Sequence, residues 1–161
     1  MAVTYDSIAS TVLGSNQTSV TFSSLGSYTD LVLVTNVGNT NGANTDIRLQ
    51  FNGSTTGYSS TIVRGNGTSA TSGRETSKVS MFVGWSDNSI NSNTIIQLQN
   101  YSNSSTYKTV ISRTNNVATS YVGANVGLWQ NTAAITSITI LCDIGSFLAN
   151  STFTLHGIKA A

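Results

Sequence analysis

The feature that most constrains this chain is a rhythm of short runs rich in Val, Ile, Thr, Tyr and Phe, each broken by Gly, Asn or Ser. Residues of the first kind fit a pleated, half-buried surface, and those of the second kind turn the backbone. Proline is absent, so the turns rest on Gly, Asn, Asp and Ser alone. No window sustains a helical period of apolar residues. The spacing predicts an all-β, antiparallel sandwich or barrel of about ten short strands with no significant helix.

The clearest strand is Asp46 to Asn52, where Ile47, Leu49 and Phe51 alternate with Arg48 and Gln50. Alternation of that kind marks one buried and one wet face. Tyr28 to Val37 holds the buried-looking Leu31-Val32-Leu33-Val34. The runs Val3 to Val12, Ser19 to Ser23, Tyr58 to Arg64, Lys78 to Trp85, Ile135 to Cys142 and Ser151 to Ile158 read as further strands. Thr94 to Tyr101 and Tyr107 to Arg113 look like a pair joined by a polar turn. Ser120 to Trp129 is interrupted by Gly123 and Gly127, which suits a bulge or a close approach. Gly38 to Asn44 and Gly65 to Gly73 read as polar surface loops, and Asn52-Gly53 as a tight turn. The whole chain, 1–161, reads as one domain, with 1–11 as an edge strand or an attachment segment.

Charge is the next constraint. Only 8% of residues are charged, against about 25% in an ordinary soluble domain. Ser, Thr and Asn, about two-fifths of the chain, supply the polarity instead. The net charge is +1, and Arg48, Arg64, Arg74, Arg113, Lys78, Lys108 and Lys159 do not cluster. That argues against nucleic acid, which needs a concentrated basic face. Near-neutrality also lowers repulsion between copies. With many strand edges and few charges to guard them, a homo-oligomer is expected, a trimer being favoured. No stretch is long and apolar enough for a membrane-spanning helix, and Met1 to Ser10 lacks the layout of a signal peptide.

Candidate chemistry is sparse. The single histidine, His156, lies opposite Phe153 and Leu155 in the final run, and its nearest acid is Asp143. There is no Gly-x-Ser-x-Gly elbow and no assembled nucleophile, base and orienter. The acids Asp6, Asp30, Asp46, Glu75, Asp87 and Asp143 sit mostly at strand starts and turns, where backbone geometry alone selects Asp. One Cys and one His exclude an ordinary structural zinc site. Asp87 to Asn93 offers alternating oxygen ligands but lacks the Gly and terminal Glu of a calcium loop. Gly65-Asn66-Gly67 has no following Lys at phosphate-loop spacing. Cys142, inside an apolar run, reads as a buried, inert thiol. No catalytic residue, metal site or cofactor is expected.

The aromatics Trp85, Tyr101, Tyr107, Tyr121 and Trp129 are the candidate contact residues. They lie at strand ends or beside polar loops, where rings pack a core, meet another subunit or stack on a sugar.

Several segments resemble a group of small structural proteins of tailed bacteriophages, cyanophages included. They are Tyr5-Asp6-Ser7-Ile8-Ala9, Tyr28-Thr29-Asp30-Leu31-Val32-Leu33-Val34, Phe51-Asn52-Gly53, Asn100-Tyr101-Ser102, Tyr107-Lys108-Thr109-Val110, the stretch Gly127 to Ile135, and the ending Phe153 to Ala160. The resemblance implies a virion protein with a jelly-roll-like sandwich, of the head-decoration, cement, head-fibre or short tail-fibre kind. Such a protein is made in the host cytoplasm and leaves by lysis. Its implied partners are the major capsid protein or other virion proteins. The alternative is a tail- or head-fibre domain that recognises a host-surface glycan.

Overall fold

The computed structural model describes residues 5–88 and 90–159. Val3 and Thr4 of the first run, Met1 and Ala2 of the attachment segment, Ser89 of the Asp87–Asn93 loop and the tail Ala160-Ala161 lie outside the described residues. Twelve strands follow one another: β1 (Tyr5–Val12), β2 (Ser19–Phe22), β3 (Asp30–Val37), β4 (Thr45–Phe51), β5 (Tyr58–Gly65), β6 (Ala70–Lys78), β7 (Met81–Ser86), β8 (Ser92–Leu98), β9 (Lys108–Asn116), β10 (Tyr121–Trp129), β11 (Ile138–Cys142) and β12 (Thr152–Ile158). No helix occurs among the described residues.

The strands form two sheets, with orders β1-β12-β3-β8-β9-β10-β5-β6 and β2-β11-β4-β7, and every neighbouring pair is antiparallel. Eight of the strands make a jelly roll. β1 pairs with β12, β2 with β11, β3 would face β8 and pairs with it, and β4 pairs with β7. These nested pairs are one long antiparallel ribbon folded over, so that its strands alternate between the two sheets. The fold is therefore the expected all-β sandwich of jelly-roll type. β5–β6 and β9–β10 are additions to it. They extend the larger sheet beyond β8 as a four-stranded wing.

Inward residues of both sheets fill one core. Leu31, Leu33 and Val37 of β3, Ile96 and Leu98 of β8, and Phe153 and Leu155 of β12 meet Ile47, Leu49 and Phe51 of β4 and Ile138 and Ile140 of β11. At the rim, Tyr58 and Trp129 stack with ring centroids 6.1 Å apart and Phe51 against both. The Tyr58 hydroxyl accepts from Phe51 N and donates to Ser54 O.

Two expectations need correction. Gly65 to Gly73 is not wholly a loop, because β6 begins at Ala70 and runs through Lys78. Its sequence, ATSGRETSK, has no apolar alternation to announce it. The strand forms by pairing with β5, from Gly65 opposite Ala70 to Tyr58 opposite Lys78. The turn between them is closed by Asn66, whose side-chain oxygen accepts from the backbone of Thr68 and Ser69. The run Lys78 to Trp85 is correspondingly split between the end of β6 and β7. Asn52-Gly53 does form a tight turn, with φ of 53° and 67° and Ser54 N donating to Phe51 O. It links strands of different sheets, so it makes a corner and not a hairpin.

Gly123 and Gly127 resolve to close approach. β10 keeps an unbroken register with both neighbours, so there is no bulge. A Cβ on Gly127 would lie 2.1 Å from the Met81 sulfur, and one on Gly123 would lie 2.8 Å from the Trp85 ring. Gly127→Ala is expected to cost about 1–3 kcal/mol by overpacking the buried Met81. Gly73→Ala, where a Cβ meets nothing within 4 Å, is expected to stay within about 0.5 kcal/mol of the parent. Urea denaturation of the two variants checks the contrast.

Candidate functional site: an outward apolar sheet face and a clamped arginine

β7 is buried at every position, although only β4 pairs with it. Its other edge lies against the inner face of the wing, which supplies side-chain partners. Asn125 Nδ2 donates to Phe82 O at 2.7 Å, Ser60 Oγ donates to the same carbonyl at 3.4 Å, and Trp85 N donates to Thr114 Oγ1 at 3.4 Å. Buried backbone groups need such partners. The inner positions of the wing are therefore polar or small: Ser60, Ser112, Thr114, Asn125, Gly123 and Gly127.

The pattern of β10 is inverted as a result. Gly123, Asn125, Gly127 and Trp129 point inward, while Val122, Ala124, Val126 and Leu128 point outward. Val122 is 64% exposed and Val126 55%. Across the register Val126 stands beside Ile111 of β9 and Thr61 of β5, and Ala124 beside Arg113 and Val63. The outer face of the wing is thus an apolar surface of Val63, Ile111, Val122, Ala124 and Val126, continued by Ile95 of β8.

Arg113 stands in the middle of that face. Two depressions of about 260 and 250 Å³ lie on its β8 side and one of about 390 Å³ on its β5 side, and Arg113 lines all three. Among the described residues it has no ion-pair partner. Arg74, opposite Thr61, is the other cation on this face, and no acid shares it.

A second charged group sits on the outer side of the small sheet. Arg48 of β4 is buried and gives Glu75 of β6 a two-pronged contact at 2.7 and 3.1 Å. It also bonds Asp46 at 2.6 Å and lies 3.6 Å from Asp143. β6 thereby curls past β7 and is tied to the opposite sheet. Burial pushes the Asp46 carboxyl above its ordinary value, outweighing the pull of Arg48. The three acids already carry a cation between them, and no group of His, Cys, Asp and Glu among the described residues is arranged to hold a metal.

The five candidate aromatics separate. Trp85, Tyr101 and Trp129 are buried, so their rings are core and not contact surface, which corrects the reading of them as contact residues. Trp85 packs on Phe82 and Tyr121 with centroids 5.2 and 5.9 Å away. The Tyr101 hydroxyl donates to Gly26 O at 2.6 Å and ties the loop before β3 in place. Tyr121 is half-buried, with the Arg64 guanidinium 5.0 Å over its ring. Tyr107 is exposed. Tyr121 packs on the buried Trp85 from the side, and among the described residues no ring contact joins Tyr107 to the other four.

Remaining sequence candidates find structural places. Cys142 is buried and its thiol is pushed up to about 11 by that burial, so it stays protonated at neutral pH. His156 stacks obliquely on Tyr5, 5.5 Å away, on the outer side of β12. Lys108 is buried and donates to the carbonyls of Thr106 and Thr132, closing two loops, while burial lowers its pKa.

No family model and no curated protein sequence matches the chain. Among solved structures, a galectin of Caenorhabditis elegans, LEC-6, is similar at 12% identity and a TM-score of 0.42, over 90% of this chain and 94% of that one. A protein of unknown function from Shewanella oneidensis, SO2946, is similar at 11% identity and a TM-score of 0.23, over 83% of this chain and 60% of that one. At TM-scores below 0.5 neither likeness bears on what this chain binds.

Arg48→Met is expected to destabilise the protein by about 2–4 kcal/mol at neutral pH, since it leaves carboxylates together without their cation. The partly exposed positions of those acids keep the loss below that of a fully buried pair. Stranded carboxylates favour the protonated folded form, so the gap from the parent should narrow as pH falls toward 4. Thermal melts of both proteins at pH 7 and pH 4 measure it.

Proposed function

We propose that this chain is a non-enzymatic structural subunit of a tailed-phage virion, an outer-capsid decoration protein that stabilises the head. One observation carries the reading: the inverted β10, which turns Val122, Ala124 and Val126 to solvent on a wing that the jelly roll does not need for closure. Exposed apolar surface of this kind marks an association site. Covering it releases about 25 cal/mol for each Å² of apolar area, and the low charge of the chain sets little repulsion against that gain. The resemblance to small virion proteins supplies the setting, with the major capsid protein or another virion protein as the wider partner.

The alternative, a fibre-type domain reading host-surface glycans, retains only Tyr107 and the half-buried Tyr121 as accessible rings out of its five candidates.

Labelled protein is expected to bind saturably to purified heads that lack it and not to host cells. Val126→Lys, at an exposed position where folding tolerates charge, is expected to weaken head binding at least tenfold, and Tyr107→Ala to leave it unchanged. Binding to cells that free sugars abolish, with none to heads, overturns the decoration reading in favour of the glycan one.

A further inference from the structure

The outer face of the wing needs a partner that is apolar and carries an acid. A two-fold contact between two wings would set the unpaired Arg113 of one copy near that of the other, with no carboxylate on either face to separate them. Like charges brought together in that way count against the arrangement. The complementary feature is on the same chain, at the far end of β11.

There the turn 143–146 projects from the small sheet. The Asp143 side chain is 44% exposed, and Asp143 is the one exposed residue among the six acids, the others being half-buried or buried. Ile144 beside it is 56% exposed. The turn is held firmly: Asp143 N donates to Asp46 O, Ile144 N to Thr45 Oγ1, Ser146 N to Thr40 Oγ1, and Thr40 N returns to Ser146 O. Gly145, at φ 80°, makes the reversal. The result is a preordered knob, an aliphatic side chain next to a carboxylate. Preordering lowers the entropy lost on docking.

We propose that this knob docks on the wing of a second copy, with Ile144 against the surface of Ile111, Ala124 and Val126 and the Asp143 carboxylate on the Arg113 guanidinium. The inference rests on reading the wing as an association surface and names what covers it. The contact is heterologous: each copy offers a knob to one neighbour and a wing to another. Contacts of that type build closed rings when the rotation closes and open stacks when it does not. Asp143 retains its long contact with Arg48 from the side, so docking brings a second cation to an acid that already faces one.

The test is sedimentation equilibrium of the full chain at about 50 µM in low salt, where charge pairs are least screened. The parent is expected to run as an oligomer. Arg113→Asp and Asp143→Arg are each expected to run as monomers with an unchanged far-ultraviolet spectrum. The double variant Arg113→Asp/Asp143→Arg, with the pair reversed, is expected to recover the oligomer, as is a mixture of the two single variants. Ile144→Cys mixed with Ala124→Cys should give an interchain disulfide under mild oxidation, the native Cys142 being buried. A monomeric parent overturns the proposal. So do single variants of unchanged mass, or a folded double variant that stays monomeric. Head binding by a monomeric parent would sink the knob-and-wing contact and leave the decoration reading standing; an oligomer that ignores heads would do the reverse.

Discussion

The carbonyl of Phe82 sits in a buried strand with no neighbouring strand on its side, and it must be given a donor. Asn125 provides it at 2.7 Å. From that requirement much of the molecule follows. The wing residues facing β7 have to be polar enough to bond its backbone, as Ser60, Thr114 and Asn125 do. They also have to be small enough to admit it, as Gly123 and Gly127 do beside Trp85 and Met81. A strand that spends its inward positions on amides and glycines has few apolar residues left to bury there. In β10 they appear on the other side. The exposed face is thus the counterpart of a buried edge, and the two cannot be changed independently.

Arg48 performs the matching task on the far side of β7. A wing attached only through β8 would be free to splay, since β6 itself contributes little apolar area. The two-pronged Arg48–Glu75 contact ties its last strand to the small sheet. Asp46 and Asp143 bring two further carboxylates to the same guanidinium, at the cost of crowding one another. Half of the chain's acids gather on this single guanidinium, which leaves the rest of the surface nearly free of negative charge.

Much of the jelly roll is legible in the sequence because its strands obey alternation. Ile47, Leu49 and Phe51 announce β4, and Phe153 and Leu155 announce β12. β6 is not legible, because a strand exposed on nearly every residue has no periodicity and exists by pairing alone. Arg48 could be placed on an outward face, but its three partners come from β4, β6 and the turn after β11, a convergence that only tertiary structure creates. Trp85 and Trp129 mislead for a related reason. They stand beside glycines and polar turns, as surface rings often do, yet both rings are buried, Trp85 in the space left by Gly123 across the sandwich. Val122, Ala124 and Val126 alternate with inward residues of β10, but Gly123 and Gly127 make the run read as an interrupted strand. Which side faced the core could not be read without knowing that β7 covers the glycines.

The nested pairing of the roll also dictates when the protein can exist. β12 lies between β1 and β3, hydrogen-bonded to both, so β1 has no place in the sheet until residues near 158 have been synthesised. β5–β6 and β9–β10, by contrast, are hairpins of neighbouring strands and pair early. A nascent chain therefore displays the wing, apolar side outward, before the sandwich that supports it has closed. Where many copies are translated side by side, that interval is when the wing is most exposed to the wrong partner, and the speed of inserting the last strand sets its length.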